Sequence, residues 1–228
     1  MSSIGVATCL LIAAQQPYEP TSSYTKQELE HFTVYVSNRL LGEQRELGDQ
    51  ALALLQVKLF DINRVVPEVA LRKLQQVPVW VAIEDVHGRH QCMCYHPSRE
   101  WLTEHGYNPD MAGAVEIANA ANFLTWTRDQ PSMVLHELAH AYHHQVLGYD
   151  NAEIKAAYER AVETKSYESV LRCNGAMDRA YALENDQEYF AELTEAFFGT
   201  NDFYPFVRAE VQKHDPMVYD LLRKLWGA

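Results

Sequence analysis

His136-Glu137-Leu138-Ala139-His140 is the stretch on which the reading of this 228-residue chain turns. Two histidines four apart stand one helical turn from each other on the same face, so both imidazoles can converge on one metal ion. Zinc suits two nitrogen ligands and a carboxylate, with one position left for water. Glu137, between the histidines, lies beside such an ion without binding it and is placed to take a proton from that water. The pentapeptide is the metalloprotease signature. Its surroundings read as a helix over Gln130 to Leu147: Pro131 suits a first turn, Gly148 suits a C-terminal cap, and Leu135, Leu138, Tyr142 and Val146 form an apolar side.

A third ligand is required. His143 and His144 follow closely, but His144 lies about 6 Å farther along the axis from His140, and a straight helix does not close three such ligands on one ion. Position 146 is Val, where the three-histidine pattern needs His. His144 therefore reads as a rim or substrate contact. Asn185 to Glu192 offers the better candidate, because Glu188 and Glu192 stand at i and i+4 among Tyr189, Phe190, Phe197 and Phe198. Two carboxylates beside aromatics are costly to bury without a cation or donors. Glu188 is assigned to the zinc, and Glu192 to a hydrogen bond that fixes the tautomer of a ligand imidazole. The alternative for this pair is a solvated acidic stripe, and Glu195, one turn on, fits that too.

With these residues in place the chain resembles the gluzincin metallopeptidases, in particular the catalytic domain of anthrax lethal factor and the bacterial Pro-Pro endopeptidases. The likeness rests on HELAH and the later EYFAE, and covers about Ala114 to Phe198. It implies a zincin-like fold, one zinc ion held by His136, His140 and Glu188, Glu137 as general base, and peptide-bond hydrolysis. These relatives place a Tyr seven residues before the ligand Glu, where this chain has Tyr181. The resemblance gives its hydroxyl the polarisation of the scissile carbonyl. The whole stretch from Tyr95 to Pro131 and the segment from Gly199 to Phe206 look like a separate branch, so substrate preference is not carried over.

The remaining sequence is read for organisation. Thr25 to Leu41 places Leu29, Phe32, Val36 and Leu40 on one stripe and is expected to be a helix. Leu52, Leu55, Leu59, Ile62 and Val66 predict a second, stopped at Pro67, which opens a third through Gln75. Val77 to Ile83 reads as a strand, His87-Gly88 as a turn, His90 to Tyr95 as a returning strand, and Ala114 to Ala118 as another. Helices are then expected over Ala152 to Arg172, Asp186 to Phe198 and Pro216 to Trp226. The pattern is α+β, with a small mixed sheet and a mostly helical C-terminal half. No repeat or Gly/Ser linker divides it, so residues 25–228 read as one domain behind a lead-in of residues 1–24.

Substrate is expected to lie extended along a sheet edge beside the zinc helix. Met111 to Leu124 is the segment proposed for it, with Asn119 and Asn122 able to bond a peptide backbone; a loop packed on the domain reads equally well. Phe203 to Phe206 is read either as the wall of a specificity pocket or as core. His214-Asp215 reads as structural.

Composition narrows the partners. Lys and Arg number 19 against 31 Asp and Glu, a net charge of −12, and this charge argues against nucleic acid and anionic membrane as partners. No apolar run reaches the roughly 18–20 residues of a membrane span. Ile4 to Ala14 has the length of a signal-peptide core, which tilts toward a secreted or periplasmic protein; no Lys or Arg precedes it, so a packed strand of a cytoplasmic protein stays open. Cys92 and Cys94 form neither a zinc knuckle nor a redox pair. They read as buried thiols, or one of them reaches Cys173; Cys9 stands alone. Three functional alternatives remain: a zinc-binding peptidase-like module without turnover, a hydrolase of non-peptide amides, and a structural zinc site, although structural sites usually have four protein ligands.

Overall fold

The computed structural model describes residues 18–228. The apolar run at Ile4 to Ala14 and Cys9 lie outside them. The chain from Tyr24 to Ser37 is not the expected helix but a hairpin, β1 (Tyr24–Leu29) and β2 (Phe32–Ser37), paired antiparallel with Leu29 opposite Phe32. Its two-residue turn holds Glu30 and His31 at positive φ, 50° and 70°. Such turns favour Asn-Gly, and Glu-His gives no such warning. Phe32, Val34 and Val36 are fully buried at a strand's period of two, which outweighs the helical stripe read through Leu29, Phe32, Val36 and Leu40.

A short helix α1 (Asn38–Leu41) leads into α2 (Arg45–Val65), which buries Ala51, Leu55, Leu59 and Ile62 at helical spacing. Gly48 lets α2 cross α1 closely, since a Cβ there would lie 2.2 Å from the Leu40 carbonyl oxygen. Pro67 ends the run and caps α3 (Glu68–Leu74) as expected. Then come β3 (Val79–Val81), β4 (Met93–Tyr95), α4 (Arg99–Glu104), β5 (Val115–Ile117) and α5 (Ala120–Trp126).

The five strands are ordered β1-β2-β3-β5-β4. β3 runs parallel to both β2 and β5, and β4 is antiparallel to β5. β3 and β4 are therefore not the expected hairpin neighbours, because β5 inserts between them and leaves β4 at the edge. Alternation splits the sheet's two faces. Val79, Val81, Val115 and Ile117 join the main core, while Trp80 packs with Leu102, Tyr107 and Met111 on the other side.

The second half is helical: α6 (Met133–Tyr142), which continues as a π-helical turn over His143–Leu147 and stops at Gly148, φ 80°; α7 (Ala152–Thr164); α8 (Asp186–Phe198); α9 (Arg208–His214); and α10 (Pro216–Trp226). α7 ends earlier than expected, at Lys165 in the left-handed region, and a two-stranded ribbon, β6 (Val170–Leu171) and β7 (Met177–Asp178), follows. α8 is the axis of this half, buried from Tyr189 to Phe197. Tyr189 donates to Asp215 at 3.0 Å, and the Trp226 indole donates to Thr194 at 3.2 Å. Asp215 also accepts from Arg160 and caps α10, so the His214-Asp215 pair is structural, as read. Phe203 is buried and Tyr204 packs edge-on against His214, so the aromatic run belongs to the core. Cys92, Cys94 and Cys173 are free thiols. The molecule is thus α+β, and no described helix is long and apolar enough to cross a membrane.

Candidate metal centre

α6 and α8 pack side by side, and both are fixed in rotation about their axes. Tyr142 stacks on Trp226 with ring centroids 4.1 Å apart, and Ser132 Oγ accepts the Thr200 amide from the end of α8. At the start of α8, Asn185 accepts the amides of Gln187 and Glu188, each at 2.9 Å. These constraints leave His136, His140 and Glu188 facing one another.

Three ligand atoms meet there. His136 Nε2 lies 3.0 Å from Glu188 Oε2 and 3.0 Å from His140 Nε2, and His140 Nε2 lies 3.2 Å from Glu188 Oε2. A tetrahedral ion with bonds of about 2.0–2.1 Å spaces its ligand atoms about 3.3 Å apart. The three residues can therefore hold a metal ion without rearrangement. They also need a positive charge. Glu195 Oε1 sits 2.7 Å from His136 Nδ1, where it accepts a hydrogen bond from the Nδ1–H and leaves the Nε2 lone pair toward Glu188. Lone pairs facing a carboxylate at 3.0 Å require a proton or a cation between them.

The protonation of the ion-free cluster follows the same logic. Burial opposes charge on His136, but hydrogen bonds to Glu188 and Glu195 outweigh it and hold its imidazole well above the usual range. Burial likewise pushes Glu188 up, and its two histidine partners overcome this to hold the carboxyl well below the usual range. Glu192 and Glu195, both almost fully buried, are raised by burial and by their surrounding carboxylates. Protons here stand in for the charge that a cation would bring, and an ion held by these residues would displace them.

The structure corrects one assignment. Glu192, expected to orient a ligand imidazole, is 3.8 Å from His136 Nδ1 and instead accepts from Asn201 at 3.1 Å. Glu195 makes the bond to His136. It lies seven residues after Glu188 on the same helix face, a two-turn spacing that the sequence displayed and that equally describes an exposed stripe. At 4% exposure it is not a solvated stripe.

A cleft of ≈ 620 Å³ opens over these atoms, lined by His136, Glu137, His140, Tyr181 and Glu188 together with residues 89–95 leading into and forming β4. Glu137 is half-buried and faces the cleft. Tyr181, 48% exposed, stands on a 3-10 turn (Tyr181–Leu183) whose Leu183 carbonyl is held by Tyr158 and Arg179. Burial and the neighbouring Glu188 push its hydroxyl up to about 12, so it remains a donor at neutral pH. Tyr149, which the sequence did not single out, also lines the cleft.

Three further expectations are displaced. Asn119 caps α5 by accepting the Asn122 amide at 2.8 Å, and Asn122 Nδ2 donates to the Gln91 carbonyl at 2.7 Å. Neither lines the cleft; they anchor α5 to the chain entering β4. His144 sits behind the wall, its Nδ1 2.8 Å from the Tyr95 hydroxyl. The segment containing β5 is an interior strand; the edges are β1 and β4, and β4 is the one that lines the cleft. Cys92 accepts from Ala118, and His96 exchanges bonds with Ala114 and Gly113. By antiparallel alternation the amides and carbonyls of Met93 and Tyr95 then point outward, toward the cleft side.

No protein-family model matches the chain, and no curated protein or solved structure does either.

Proposed function

We propose that this protein is a zinc-dependent metalloendopeptidase of the gluzincin type. The observation that carries the reading is the convergence of two imidazole nitrogens and one carboxylate oxygen at 3.0–3.2 Å, with Glu137 beside them in an open cleft. The donor set is two nitrogens and one oxygen, which suits zinc and leaves one coordination position for water. The resemblance of HELAH and EYFAE to the lethal factor catalytic domain and the Pro-Pro endopeptidases favours peptides over other amides.

His136, His140 and Glu188 would hold the zinc, which would supply Lewis-acid polarisation and a more acidic water. The Glu137 carboxylate accepts the proton of the attacking water and delivers it to the leaving amine nitrogen. The Tyr181 hydroxyl donates a hydrogen bond to the carbonyl oxygen as negative charge grows there. Glu195 holds the His136 ring by its Nδ1–H. Substrate pairs with the outward backbone groups of Met93 and Tyr95, adding a strand to the edge of the sheet.

The test is digestion of a peptide library by the purified chain with and without a chelator, read by mass spectrometry. Cleavage that chelation abolishes and added zinc restores is expected. Metal binding without any cleavage would instead identify a peptidase-like binding module.

A further inference from the structure

A second group of metal-ligating side chains lies on the sheet face opposite α6. Cys94 and His96 are two apart along β4 and its continuation, and so share one face. Glu116 on β5 is the cross-strand partner of Cys94 in the register. His96 Nε2 lies 2.7 Å from Glu116 Oε2, and Cys94 Sγ lies 3.5 Å from His96 Nε2 and 3.9 Å from Glu116 Oε2. His90 comes from the preceding loop, and a ligand atom from each of His90, Cys94 and His96 falls within 4.8 Å of the others.

Three features set this group apart from an ordinary buried hydrogen-bond cluster. The His90 Nε2 atom is buried and has no hydrogen-bond partner. Glu116 is 5% exposed and its ion-pair partner among the described residues is His96, with no Lys or Arg facing it there. The loop that presents His90 is already ordered, because the Asp85 carboxylate accepts the amides of His87, Arg89 and His90 and the Tyr107 hydroxyl. A tetrahedral zinc ion, with bonds of about 2.3 Å to sulfur and about 2.0 Å to nitrogen, places those two atoms about 3.5 Å apart. That is the spacing of Cys94 Sγ and His96 Nε2.

We propose that His90, Cys94, His96 and Glu116 form a second metal site, selective for a borderline-soft divalent cation of the zinc class. Thiolate and imidazole donors favour such ions over magnesium or calcium. The ion replaces the Cys94 thiol proton and ties the His90 loop to the edge strand. His90 and Cys94 also line the cleft, so the site would brace the wall along which substrate is proposed to dock. The inference does not depend on the peptidase reading, because the two sites share no ligand and only this one contains sulfur.

The experiment titrates the metal-free full-length chain with Co²⁺ alone and follows the thiolate-to-cobalt charge-transfer band together with the number of ions bound. The expected result is two ions per chain and a band that disappears in Cys94→Ser. The band persists in Cys92→Ser, whose sulfur faces Met133 at 3.6 Å, and in His136→Ala, which loses one ion. His90→Ala, which removes an unpartnered loop side chain, keeps the fold and weakens the band-forming ion at least about tenfold. The proposal is overturned if the wild-type chain shows no thiolate band, if Cys94→Ser retains it, or if folded His90→Ala binds with wild-type affinity.

Discussion

Replacing Glu195 by Gln tests how the ligand set is held. The Glu195 carboxylate accepts from His136 Nδ1 at 2.7 Å, inside the protein. Gln keeps an acceptor oxygen and the side-chain volume but removes the charge. A hydrogen bond to a charged group contributes about 1.5–3 kcal/mol and a neutral one about 0.5–1.5. The difference, about 1–1.5 kcal/mol, corresponds to about a tenfold loss of zinc affinity. Glu195→Ala removes the acceptor as well and extends the loss toward about a hundredfold. Glu192→Gln should do less, since Glu192 accepts from Asn201 and makes no bond to His136. Competition with a chromophoric chelator, on a Cys94→Ser background so that one centre is read, gives the affinities. Thermal stabilisation by zinc should fall in step, by about 1.4 kcal/mol for each tenfold. Wild-type affinity in Glu195→Gln, or an equal loss in Glu192→Gln, would refute the assignment.

Glu137→Gln should retain zinc and lose about 10²–10⁴ in kcat, while Tyr181→Phe should lose about 10²–10³ in kcat with KM little changed; a loss confined to KM would make Tyr181 a binding residue. Met93→Pro removes one outward amide from the free edge, where proline is tolerated, and should raise KM for peptides in a folded protein, as read by steady-state kinetics. Unchanged KM would take the edge out of the docking model. His143, wholly buried with neither ring nitrogen partnered, is depressed by burial to about 4. An unfolded histidine takes up its proton near pH 6.5. As pH falls from about 6.5 to about 4 the unfolded chain therefore binds more protons, and stability drains away across that window. His143→Phe, set among Tyr149 and Phe190, should flatten the fall in Tm of the chelated protein; an unchanged slope would contradict this.

The helices carrying the centre were legible because their signals are local. α8 and α10 start where Asn185 and Pro216 place them, and HELAH states its own geometry through the period of the helix. What was not legible is what distant segments decide. The β1–β2 hairpin turns on Glu30 and His31, whose left-handed conformations no Gly or Asn announces. The sheet order depends on β5 entering between β3 and β4, and its pairing with β3 joins segments over thirty residues apart, so the edge strand beside the cleft is not the one the local pattern suggests. Glu192 and Glu195 share one helix face, and only the rotation of α8 against α6 decides which of them reaches His136. His96 and Glu116 carried no motif, because their meeting is a cross-strand one.

The most direct test is anomalous diffraction at the zinc edge from crystals of the zinc-loaded protein. The account predicts a peak bonded at about 2.0–2.2 Å to His136 Nε2, His140 Nε2 and a Glu188 carboxylate oxygen, with water at a fourth position. A zinc-loaded crystal with no peak between those three atoms, or one in which Glu188 has turned away and a fourth side chain closes the ion off, would contradict it.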